Sequence, residues 1–168
     1  RYRQPVAPTI GSQAQLPRLI CEYGFYTRHD VEDYLHIREY LDTVYGQILS
    51  FEQEKAEAGL MMSDTSIDHV IESCKSYLLV PGNNFMINSF TERLNALPDL
   101  TDDAKKEFCA RNEAALEEHL VPAYKLLIEG LEKLKGTGTN EKGMCGYPDG
   151  KAYYEYLVYT ATGTSYHS

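Results

Sequence analysis

Tryptophan is absent from these 168 residues, and the other absences narrow the chemistry quickly. The four cysteines, Cys21, Cys74, Cys109 and Cys145, are far apart and never form a Cys-x-x-Cys pair. Zinc ribbons and dithiol redox motifs are thereby excluded, and the thiols read as free and partly buried. None of the five histidines begins a His-Glu-x-x-His segment, which removes the two-ligands-plus-base arrangement of zinc peptidases from this chain. A Gly-x-Ser-x-Gly elbow is also missing, and neither Cys109 nor Cys145 has a recognisable base beside it. Gly146-Tyr-Pro-Asp-Gly-Lys resembles a phosphate loop only superficially, because Lys151 is followed by Ala152 rather than a metal-binding hydroxyl.

Lys and Arg never cluster, and the formal net charge is −9. A surface that tracks nucleic-acid phosphates needs a basic patch, so no nucleic-acid partner is expected. The longest apolar runs, such as Tyr77-Leu-Leu-Val, are of core size and well short of the roughly 18 residues of a membrane span. No leader-like n-region or h-region follows Arg1, so any targeting segment is expected to precede it.

What is present is helical periodicity. Residues 1–26, with three prolines among the first 17, read as an extended lead-in. Thr27 with Asp30 predicts a capped start. Val31, Tyr34, Leu35, Leu41, Val44, Tyr45, Ile48 and Phe51 then recur at helical spacing to about Ala58, with Gly59 as terminator. A second helix is expected from Asp64 or Thr65 through Leu78, closed by Pro81 and Gly82, and a short third from about Asn84 to Leu97. Thr101 opens the longest periodic stretch, which reaches Leu134 and would measure about 50 Å if continuous. Pro122 predicts a kink near His119–Val121. Residues 136–148 read as a flexible, turn-rich connection, after which Asp149 caps a last helix ended by Gly163. No alternating strand pattern stands out. The expected fold is all-α: an irregular multi-helix bundle with one long Pro-kinked helix, forming a single helical domain or fragment over 1–168 and part of a larger helical protein.

Two constellations carry candidate chemistry. His29, Asp33 and His36 share one helix face at i, i+4 and i+7, a spacing that permits a divalent metal but equally describes a solvated polar stripe. Glu117-Glu118-His119 reads as surface, since adjacent helical residues do not face each other. The 14 tyrosines are the one compositional excess, and Tyr147, Tyr153, Tyr154, Tyr156 and Tyr159 span every face of the last helix and its approach. They cannot all be core, so some are expected to line a groove or a packing interface.

Several segments together resemble a bacterial family of unknown function, the one numbered 885. They are Arg3-Gln-Pro-Val-Ala-Pro-Thr-Ile-Gly, Leu16-Pro, Glu22-Tyr, Asp30-Val-Glu-Asp-Tyr-Leu, Phe51-Glu-x-Glu-Lys-Ala-x-Ala-Gly-Leu, Val121-Pro-Ala-Tyr and Gly146-Tyr-Pro-Asp-Gly-Lys-Ala-Tyr-Tyr. The resemblance covers nearly the whole chain in one order. It implies a larger, mostly helical, zinc-peptidase-like parent that is secreted or lipid-anchored, with its His-Glu-x-x-His helix downstream of Ser168. In that reading this chain carries no catalytic residue and no cofactor of its own. Zinc belongs to the parent, and the partners are the remainder of the polypeptide and a peptide substrate. Tyr147, Asp149, Tyr153 and Tyr154, beside Gly150, are then the substrate-facing positions. The alternative is a stand-alone helical binding or interaction domain.

Overall fold

A computed structural model of the protein describes residues 2–78, 85–138, 140 and 142–164. Among them are eight α-helices and no strand: α1 (Ser12–Cys21), α2 (Arg28–Glu39), α3 (Leu41–Glu57), α4 (Asp64–Leu78), α5 (Phe85–Asn95), α6 (Asp102–Ala115), α7 (Val121–Leu134) and α8 (Gly150–Thr162). A π turn at Leu116–Leu120 joins α6 to α7, and a 3₁₀ turn at Gly143–Gly146 precedes α8. The architecture is the all-α bundle expected. None of the described helices is long and apolar enough to cross a membrane.

Local signals set most helix ends. The Thr27 hydroxyl accepts the Asp30 N–H, while the Asp30 carboxylate accepts the Thr27 N–H at 2.7 Å and the Tyr26 N–H at 3.0 Å. This capping box starts α2. The periodic stretch after it is two helices, parted at Tyr40. α3 ends on Gly59, whose φ of 69° is the left-handed conformation. The Leu60 N–H reaches the Lys55 carbonyl and the Gly59 N–H reaches that of Ala56, the two bonds of a Schellman motif. The Ser63 hydroxyl accepts the Ser66 N–H at the start of α4, and Thr101 caps α6. Pro81, Gly82 and Asn84, expected to bound α4 and α5, lie outside the described residues.

The kink expected from Pro122 takes the form of the π turn. The Val121 N–H bonds the Leu116 carbonyl, five residues back, and Pro122 follows directly in the first turn of α7. α7 is the central element. It packs on α3 and α4 while α6 packs on α2 and α5, and Tyr124, Leu127 and Leu131 are fully buried.

One expectation is corrected. Residues 1–26 are not an extended lead-in throughout, because α1 forms inside them with Pro17 in its interior. A proline there leaves the carbonyl four residues back, Gln13, without its helical donor. The Tyr124 hydroxyl supplies one from α7 at 2.6 Å. Tyr45 and Tyr77 likewise donate to the Ser12 and Ala14 carbonyls, at 3.2 and 3.1 Å. The rings of Tyr45 and Tyr77 each lie against that of Tyr124, with centroids 5.3 and 5.4 Å away. Three tyrosines on three helices therefore hold α1, a tertiary device that local composition does not announce.

Candidate functional site

The region around Tyr147 is assembled from both ends of the chain. After α7, the backbone of Gly138 passes so close to the Met62 carbonyl that a Cβ there would overlap it. The turn that follows is equally tight, since Cβ atoms at Gly146 and Gly150 would overlap the Asn140 side chain and the Met144 carbonyl. It delivers Tyr147 into a buried position, 7% exposed. The N-terminal segment is anchored by the Ser12 N–H on the Pro5 carbonyl at 2.7 Å, the Gln13 amide on the Ala7 carbonyl at 2.5 Å and the buried Val6. It then lays Tyr2 across the turn. The Tyr2 ring stacks on Tyr147 at 5.1 Å and tilts against Tyr153 at 5.2 Å, and its hydroxyl donates to Asp149 Oδ2 at 3.3 Å. The Gln4 amide donates to the Tyr147 hydroxyl at 3.0 Å.

A cavity of about 200 Å3 opens beside this cluster, between Gln4, Met62, Ser63, Ser66, Asn140 and Tyr147. Among the described residues no charged side chain lines it. Hydroxyls, primary amides and a thioether suit an uncharged ligand able both to donate and to accept hydrogen bonds. The set can bind and orient a ligand, and among the described residues it contains no nucleophile paired with a base.

Of the four positions expected to face substrate, Tyr147, Asp149 and Tyr153 are brought together around Tyr2. Tyr154, one residue on and about 100° around the helix, is 52% exposed and outside the cluster. Asp149 occupies the N-cap of α8 without a side-chain capping bond, which corrects its expected role: its carboxylate serves Tyr2 instead. The sequence reading missed Tyr2 and Gln4 as site residues. Nothing local marks them, because their partners lie at the far end of the chain.

The His29, Asp33 and His36 face does not converge. His29 Nε2 lies 3.5 Å from Asp33 Oδ2, but His36 Nδ1 turns to Glu39 Oε2 at 3.0 Å and its ring meets Tyr40 edge-on. Among the described residues no three His, Cys, Asp or Glu side chains are arranged to hold a metal. His119, expected at the surface, is only 26% exposed and stands 3.6 Å from Asp42 at the start of α3. The thiols are free, and burial pushes that of Cys74 up to about 12, far from a reactive thiolate. Cys145 is exposed and donates to the Lys142 carbonyl at 3.0 Å.

Comparison with known proteins agrees with this architecture. The family described as "Bacterial protein of unknown function (DUF885)" matches residues 3–168. The crystal structure of a "putative lipoprotein" from Colwellia psychrerythraea has the same fold, with a TM-score of 0.87 at 19% identity. The similarity covers 97% of this chain and 28% of that one, so the chain spans well under a third of that protein's length. No curated protein matches.

Proposed function

From the premise that the chain belongs to this bacterial family of unknown function, DUF885, we propose that it is the non-catalytic helical scaffold and one cleft wall of a larger zinc-peptidase-like protein. The observation that carries the reading is α8. Apart from Gly150 it buries no residue, yet it is built from Tyr153, Tyr154, Tyr156, Leu157, Val158 and Tyr159. Apart from a narrow polar stripe of Lys151, Glu155 and Thr162, its surface is mostly Tyr, Leu and Val, and so large an aromatic and aliphatic surface marks α8 as an element whose cover lies elsewhere. The greater length of the Colwellia protein supports the remainder of the polypeptide as that cover. Zinc and the catalytic base are assigned to the remainder, since the described residues offer no ligand set. The name of that neighbour supports an exported or lipid-anchored parent.

Within the cleft, Tyr147, Asp149 and Tyr153 form the substrate-facing wall next to this cavity, and Tyr154 faces the rest of the protein. In the full-length parent, Tyr153→Ala should raise KM for a peptide substrate several-fold and leave kcat nearly unchanged, the pattern of lost uniform binding. Unchanged kinetics with a lowered Tm would assign Tyr153 to packing and remove the cleft-wall reading. The exposed tyrosines also suit a stand-alone interaction domain. A His-Glu-x-x-His segment downstream in the open reading frame would count against that reading, and a stop codon near Ser168 would overturn the first.

A further inference from the structure

The three residues of the proposed cleft wall share one occupant, and it belongs to the chain itself. The Tyr2 ring lies nearly parallel to that of Tyr147, at 18° and 5.1 Å between centroids, and meets Tyr153 at 5.2 Å. Its hydroxyl donates to Asp149 Oδ2 at 3.3 Å. Tyr156 continues the aromatic wall along α8, stacked on Tyr153 at 6.3 Å. Two rings and one carboxylate thus converge on a single phenol. Asp149 can serve it because its side chain caps no N–H of α8.

The contact can be exchanged without opening the core. The N-terminal segment is attached at Pro5, Val6 and Ala7, where two carbonyls accept from Ser12 and Gln13 and the Val6 side chain is fully buried. Residues 2–4 extend beyond that anchor; Arg3 and Gln4 are exposed and Tyr2 is half-buried. The hydrogen bond to Asp149 is made at the surface, where water competes for both partners, and each aromatic pair adds only a modest attraction. An arm so held can lift, and the surface it uncovers fits the same side chain offered by another peptide. A phenol uses the whole site, since its ring stacks on both tyrosines while its hydroxyl reaches the carboxylate. A phenyl ring leaves Asp149 without that donor, and an aliphatic side chain loses the stacking as well. We infer that Tyr147, Asp149 and Tyr153 form a subsite for a tyrosine side chain of a peptide ligand, and that Tyr2 is its resting occupant, an intramolecular competitor that lifts when the peptide enters. The choice of a peptide as the ligand rests on the cleft-wall reading.

The test titrates N-acetyl-L-tyrosinamide and N-acetyl-L-phenylalaninamide into the full-length protein, followed by ligand-observed NMR. Tyr2→Ala removes the competitor and should bind the tyrosine compound about tenfold more tightly than the wild type does, because apparent affinity scales with the fraction of sites left open. This variant should prefer tyrosine to phenylalanine several-fold, and adding Asp149→Ala should abolish that preference. Equal affinity in the wild type and Tyr2→Ala overturns the inference. So does a Tyr2→Ala protein that loses Tm and binds neither compound, which would make Tyr2 a packing residue. Peptide hydrolysis is a separate readout: tighter tyrosinamide binding by Tyr2→Ala in a protein that cleaves no peptide would keep the subsite and remove the peptidase-like reading.

Discussion

Tyr124 shows how a single hydroxyl can permit a whole element. Burial pushes its phenol above the ordinary range, which favours the protonated, donating form, and its acceptor is the carbonyl that Pro17 leaves without a helical N–H. Tyr124→Phe keeps the ring and strands a buried carbonyl, and should cost about 1–3 kcal/mol by urea denaturation. Tyr154→Phe, on the exposed helix, should stay within about 0.5 kcal/mol. Asp30 makes a pH prediction. The Tyr26 N–H, then the Thr27 hydroxyl and N–H, hold its carboxyl below the usual range in the folded state. A depressed folded pKa contributes stability above the unfolded value of about 3.9, and that contribution is lost as pH falls through the lower folded value. Asp30→Asn should therefore lower Tm at neutral pH by an amount that shrinks as the pH drops toward 2. A gap constant over that range would refute the linkage.

The two prolines within helical stretches are accommodated at the scale of elements by different means. Pro17 sits inside α1 and borrows a donor from α7. Pro122 sits just past a π turn, where the widened backbone relieves the clash of its ring with the preceding turn. An interior proline costs about 3 kcal/mol relative to alanine, whereas one in a first turn costs little. Pro122→Ala should accordingly change stability by less than about 1 kcal/mol in equilibrium unfolding. A gain near 3 kcal/mol would mean that the π turn does not absorb the strain.

For the whole molecule, stability is unevenly placed. α7 runs through the core, while α8 is tied to the rest by the turn before it and by the Tyr2, Tyr147 and Tyr153 cluster. Few buried contacts mean opening at low free energy. Hydrogen exchange followed by mass spectrometry should find α8 amides exchanging orders of magnitude faster than those of α7 in this chain, and protected in the full-length parent. Equal protection of α8 in both would remove the argument that the remainder of the polypeptide covers it.

Much of this fold could be read in advance because its signals act within about one helical turn. The absence of strand alternation, the apolar spacing along each helix, the Thr27–Asp30 box, Gly59, Thr101 and Gly163 as boundaries and the disturbance before Pro122 all follow from capping geometry and side-chain periodicity. The candidate site was legible only in part. Tyr147, Asp149 and Tyr153 stood out by composition and by family resemblance, but Tyr2 meets Asp149 across 147 positions of sequence. The helix in the N-terminal segment and the turn of His36 toward Glu39 were likewise settled by packing. Such contacts depend on how the helices dock and on which buried donor is left for which acceptor, and both are properties of the assembled bundle. The sequence by itself determined the helices and where most of them stop. The tertiary structure alone decided which side chains meet, because only packing brings together groups that the chain keeps far apart.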